Sequence, residues 1–128
     1  EDGSPASSHP HWTPHTIQGW TPDFIPLVLQ EAVDNNLIDE MIPISGEEGM
    51  KSAHELASKE GIITGISGGA TFAVAMMIAK KAKPGSKILC MIPDTGERYL
   101  SSPLFEKIDS EMNEDEINLL KSTPLFSD

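Results

Sequence analysis

Cysteine is nearly absent: one residue in 128, Cys90, removes any internal disulfide framework and any cysteine-based zinc knuckle. It fits a reducing compartment, either the cytoplasm or an organelle stroma or matrix. Aromatic side chains make up only 5% of the chain, too few for a stacking platform under single-stranded nucleic acid. Basic residues are scarce as well, nine Lys and Arg against twenty Asp and Glu, for a formal charge of −11. With no basic stripe to displace counterions, a nucleic-acid partner is excluded, and so is an anionic membrane surface. No apolar run approaches the ~20 residues of a transmembrane helix. The chain also opens Glu-Asp-Gly-Ser-Pro, without Met and without a basic-then-apolar targeting segment. A processed chain or a piece of a longer one is the expectation.

What is present alternates. Residues 1–20, rich in Pro, Ser and His, read as an extended arm or loop. Asp23 can cap a helix with Pro26 in its first turn and with Ile25, Val28, Leu29, Ala32 and Val33 on one face. Asn35-Asn36 mark its exit. A short strand is expected over 40–44, with Pro43 favouring a sheet edge. Ser45 and Glu48 have capping-box spacing, so a second helix starts there and stops at Gly61. Residues 62–66 read as a buried strand, and 70–79 as a helix apolar all round, covered on most sides. Lys87–Ile92 is the best strand in the sequence. Ser102-Pro103 opens a further helix through Met112, and Asn113 with Glu116 caps a short last one. Helices alternating with strands imply parallel strands with helical crossovers. Three strands are too little cover for the 70–79 helix, which needs a further partner.

Two loops could carry chemistry. Gly65-Ile66-Ser67-Gly68-Gly69 joins a strand to a helix, where first-turn amides attract anions or lone pairs and glycine permits close approach. Such loops sit at the carboxyl ends of parallel strands, where open α/β sheets bind ligands. A tight turn that needs glycine for backbone reasons alone explains it about equally well. Pro93-Asp94-Thr95-Gly96-Glu97-Arg98-Tyr99 follows the strongest strand and puts Asp94 at the same edge as Ser67. An ordinary polar loop is the simpler account of that segment. His9, His11, His15 and His54 lack ligand spacing, so no metal site is expected. Cys90, between Leu89 and Met91, reads as a buried, inert thiol.

Three segments together resemble the C-terminal part of the cysteine synthase (O-acetylserine sulfhydrylase) family, pyridoxal-phosphate enzymes of fold type II. They are Pro14-His15-Thr16-Ile17-Gln18-Gly19 with Phe24-Ile25-Pro26, then Glu60-Gly61-Ile62-Ile63-Thr64-Gly65-Ile66-Ser67-Gly68-Gly69-Ala70, then Pro93 through Ser101. Asp39-Glu40 lies between the first two. The resemblance implies an α/β chain, part of a three-layer parallel-sheet domain of the tryptophan synthase β-like fold. Residues 1–20 would then be an arm, 21–112 the C-terminal part of the pyridoxal-phosphate domain, and 113–128 a tail with a short helix.

By the same resemblance Ser67 would hydrogen-bond the pyridine nitrogen of pyridoxal 5′-phosphate. Gly65 would let the ring approach the backbone, and Pro93 and Asp94 would line its side of the pocket. A neutral hydroxyl does not hold a proton on the ring nitrogen, which suits β-elimination and sulfide addition over transamination. Gly19 would face the substrate cleft, and Trp20, where the family commonly has small residues, would reshape it. The family's Schiff-base lysine and phosphate-binding loop lie earlier than any match here, so this chain alone would be inactive and the missing N-terminal portion of the same enzyme its first partner. A homodimer and the tail of serine acetyltransferase are the other partners implied. Two alternatives stay open. One is a non-catalytic structural or interaction subunit built from this half-fold. The other is a different fold-type II enzyme, such as cystathionine β-synthase or a serine dehydratase.

Overall fold

The computed structural model describes residues 15–20 and 24–122. The chain divides into two compact units, 1–98 and 99–128, a boundary inside the span 21–112. The first unit holds a 3₁₀ turn (Gln18–Trp20) and three helices, α1 (Leu27–Asp34), α2 (Gly46–Glu60) and α3 (Ile66–Ala79). The second holds α4 (Glu114–Ser122).

Local chemistry explains where the helices begin and end. Ser45 Oγ accepts from the Glu48 amide at 3.2 Å while the Glu48 carboxylate accepts from the Ser45 amide at 3.3 Å, so α2 starts with a complete capping box. Gly61 closes α2 in the left-handed conformation, φ 69°, which a β-carbon would penalise. Asn113 and Glu116 form the same reciprocal pair at the start of α4, at 2.8 and 2.9 Å. At the end of α1 the chain turns through Asn35 and Asn36, the latter at φ 52°. Pro26, whose missing N–H costs nothing at this position, is the N-cap of α1. The predicted cap Asp23 lies outside the described residues, as do His9 and His11.

α2 and α3 run parallel and pack along their length. Gly49 near the start of α2 meets Ile66 and Ala70 at the start of α3, and Leu56 with Glu60 shares a groove with Met76 and Lys80 further on. The contact is close because both helices present small residues. A β-carbon on Gly69 would lie 2.6 Å from the Ala53 amide nitrogen and also collide with the Gly49 carbonyl oxygen. The core of this unit is accordingly small: Ile17, Ala53, Leu56, Ile66 and Ala70 are buried.

The predicted strands over 40–44, 62–66 and 87–92 do not pair into a sheet. Among the described residues one isolated antiparallel bridge forms, Thr64 with Thr95. A ladder needs a neighbouring strand of matching length, and none of the described residues supplies one. Lys87–Ile92 therefore lies open, with Leu89 95% exposed. Cover on α3 is partial within this chain, as expected of a helix that needs a further partner. Ile66, Gly68, Gly69 and Ala70 are buried, whereas Met76, Met77 and Ile78 are exposed.

In the second unit the helix expected over 102–112 is replaced by turns. Ser102 Oγ donates to the Tyr99 carbonyl at 2.6 Å and accepts from the Leu104 amide at 3.4 Å. Serine side chains that bond nearby backbone in this way compete with helix propagation. Only Leu104 is buried in this stretch; Ile108 and Met112 face outward.

Candidate functional site

The first turn of α3 and the loop 93–96 are held side by side through the chain that enters the helix. Thr64, 2% exposed, donates from Oγ1 to the Asp94 carbonyl oxygen at 3.1 Å. The Gly96 amide donates to the Ile63 carbonyl at 3.2 Å. These two bonds and the Thr64–Thr95 bridge bring together four of the residues singled out in the sequence: Gly65, Ser67, Pro93 and Asp94.

Ser67 is the second residue of α3, half-buried, with its carbonyl accepting from Thr71 Oγ1 at 2.9 Å. Its own hydroxyl makes no hydrogen bond with another described residue and is open to a ligand. The helix has no side-chain cap: its N-cap is Gly65, and no acid stands in its first turn. Its leading amides are thus available in the way that favours a bound acceptor. Across the loop, Asp94 is half-buried with Oδ1 removed from solvent, and Pro93 is exposed.

Two glycines of Gly65-Ile66-Ser67-Gly68-Gly69 face protein. A β-carbon on Gly68 would strike Thr64 Oγ1 and approach the Ile92 side chain to 3.2 Å, and Gly69 faces α2. Both are small because protein packs on them, not to admit a ligand. Gly65, at φ −73° and ψ 178°, has an extended backbone that any residue can adopt.

Gly19 and Trp20 stand elsewhere, lining a shallow depression with Phe24, Ile25, Pro26 and Leu29. Just before them, His15 accepts from the Ile17 amide on Nδ1 at 3.0 Å, and Thr16 packs onto Gly46 at the start of α2. Among the described residues no group of three or more His, Cys, Asp or Glu is placed to hold a metal ion. Cys90, read as buried, is half-buried, and desolvation pushes its thiol above the ordinary range. Sequence reasoning passed over Thr64, although a lone hydroxyl among Ile62, Ile63 and Ile66 was the signal that marked it.

This chain belongs to the pyridoxal-phosphate dependent enzyme family, whose model matches residues 1–94. Within the family it is 46% identical to the O-ureido-L-serine synthase of Streptomyces lavendulae, over 77% of this chain and 29% of that protein. It is 44% identical to a cysteine synthase of Buchnera aphidicola subsp. Acyrthosiphon pisum, over 74% of this chain and 29% of the relative. A crystal structure of O-ureido-L-serine synthase superimposes with a TM-score of 0.72 at 42% identity, covering 84% of this chain and 33% of that one. The fold is therefore part of the fold type II pyridoxal-phosphate architecture. The chain spans less than a third of the length of these curated relatives. The family's cofactor is pyridoxal phosphate, and the Ser67 hydroxyl, uncommitted beside a bare helix start, fits a hydrogen bond to its ring.

Proposed function

We propose that this chain is the cofactor-ring portion of a β-replacement enzyme of the cysteine synthase kind, which turns O-acetyl-L-serine and sulfide into L-cysteine and acetate. The observation that carries the reading is the Ser67 hydroxyl, half-buried on the first turn of α3 and engaged by no described residue. When bound, pyridoxal phosphate supplies the electron sink for elimination and replacement at the substrate β-carbon. The chain's own part is orientation. Ser67 Oγ would hold the ring nitrogen with a neutral hydrogen bond, leaving no carboxylate to keep a proton there. Pro93 and Asp94 would border the ring, their loop tied to the segment entering α3 by the bond from Thr64 to the Asp94 carbonyl. Groups that anchor the phosphate and form the covalent link come from residues outside this chain, which alone is inactive.

Joining this chain to the part of a cysteine synthase that precedes the matched segment tests the reading. The expected product is a cofactor-retaining protein that makes cysteine from O-acetyl-L-serine and sulfide. Ser67→Ala should slow it roughly tenfold, the effect of one good hydrogen bond at the reacting ring. A folded joined protein that retains no cofactor overturns the reading.

The 46% identity to O-ureido-L-serine synthase supports a second reading on the same site. There the acceptor would be a ureido-bearing oxygen nucleophile in place of sulfide, with Trp20, where the resembled family commonly has small residues, shaping its site. Offering the joined protein hydroxyurea and sulfide in competition separates the two.

A further inference from the structure

We infer that Thr64 is a positioning residue of this site: its side chain fixes the Asp94 loop against the turn of α3 that carries Ser67. The inference rests on the proposed role of Ser67 and adds a residue to it. Three observations meet at this one side chain. It is 2% exposed. Its Oγ1 donates to the Asp94 carbonyl oxygen at 3.1 Å, a side-chain bond that ties the loop to the segment entering α3. Gly68, the residue after Ser67, leaves the space that Thr64 fills, since a β-carbon there would run into Thr64 Oγ1 and come within 3.1 Å of its Cβ.

Thr64 is therefore seated on one side of the α3 backbone and bonded on the other to the backbone of Asp94. Movement of the loop away from the α3 entry must break this part-buried hydrogen bond and leave the buried Thr64 hydroxyl without its acceptor, which is penalised. A valine would fill the same space beside Gly68, so packing alone does not call for a hydroxyl. The adjacent bond from the Gly96 amide to the Ile63 carbonyl, at 3.2 Å, depends on the same registration and reports on it.

The test compares Thr64→Val, which keeps the shape and loses the hydroxyl, with Thr64→Ser, which keeps the hydroxyl. Amide exchange at Gly96 is read in this chain without any ligand. Shifts at the Ser67 and Asp94 amides are then read on adding pyridoxine 5′-phosphate, a ring with no aldehyde to react with surface lysines. Thr64→Val should speed Gly96 exchange roughly fivefold or more, the scale of one hydrogen bond, and weaken the ring-induced shifts, while Thr64→Ser stays near the parent. Unchanged Gly96 exchange in Thr64→Val overturns the clamp whatever the ligand does. Faster exchange with undiminished ring binding overturns its role in the site. A parent chain in which the ring shifts neither Ser67 nor Asp94 overturns the inference together with the proposed role of Ser67. Failure of the joined protein to make cysteine while these shifts persist overturns only the proposed reaction.

Discussion

The carbonyl oxygen of Gly49 occupies the place where a side chain on Gly69 would begin, so α2 and α3 touch backbone to backbone. Gly69→Ala should cost about 1–3 kcal/mol, as overpacking of a tight contact does, with chemical denaturation as the measurement. Gly19, where a β-carbon would meet nothing within 4 Å, is the control: Gly19→Ala should stay within about 0.5 kcal/mol of the parent.

Removing the cap of α2 is a milder change. Ser45→Ala deletes the side-chain half of the capping box and should cost about 1 kcal/mol, read from the same denaturation curves. Ser45→Asp, which keeps an acceptor oxygen at the same place, should recover most of it.

Stability and function separate at Ser67. An acid in the first turn of an uncapped helix complements the dipole, so Ser67→Asp should hold or raise stability by about 0.3–1 kcal/mol. In the joined protein the same change should lower β-replacement, because a carboxylate keeps a proton on the ring nitrogen. Loss of both stability and activity would show that Ser67 serves the fold instead.

The open segment Lys87–Ile92 should make the chain self-associate. Leu89 is 95% exposed and Met91 67%, in a segment without ladder partners among the described residues. Such edges recruit other chains. Sedimentation should show mass rising with concentration, and Leu89→Lys should reduce it.

Cys90 should be a slow thiol. Burial raises its proton affinity above the ordinary value, and only the thiolate is alkylated. Iodoacetamide should therefore label it more slowly than a free cysteine near pH 8, with the rate still climbing at higher pH. Because the folded form keeps its proton where the unfolded form loses it, stability should fall as pH rises past the unfolded thiol value.

What the sequence disclosed was whatever depends on a few neighbouring residues. The capping boxes of Ser45–Glu48 and Asn113–Glu116, the stop at Gly61 and the exit at Asn35–Asn36 each need only the atoms of one turn. The strands did not emerge, because Lys87–Ile92 carries the right residues yet a ladder is a property of two paired strands. The 102–112 helix failed for a local reason, the Ser102 hydroxyl bonding the backbone on both sides. Within the site, Ser67 and Asp94 were legible as residues. The tie between the Asp94 backbone and the segment entering α3 was not, since it depends on Thr64 bonding thirty residues along the chain.

The parallel run of α2 and α3 has an electrical consequence. Each helix ends in a partial positive charge at its start, and the contact of Gly49 with Ile66 sets both starts at one end of the unit. α2 brings Glu47 and Glu48 to its own positive pole, whereas the first turn of α3 carries no acid. A chain with a net charge of −11 thus leaves one pole unneutralised by its own helix, and the residue standing on it is Ser67.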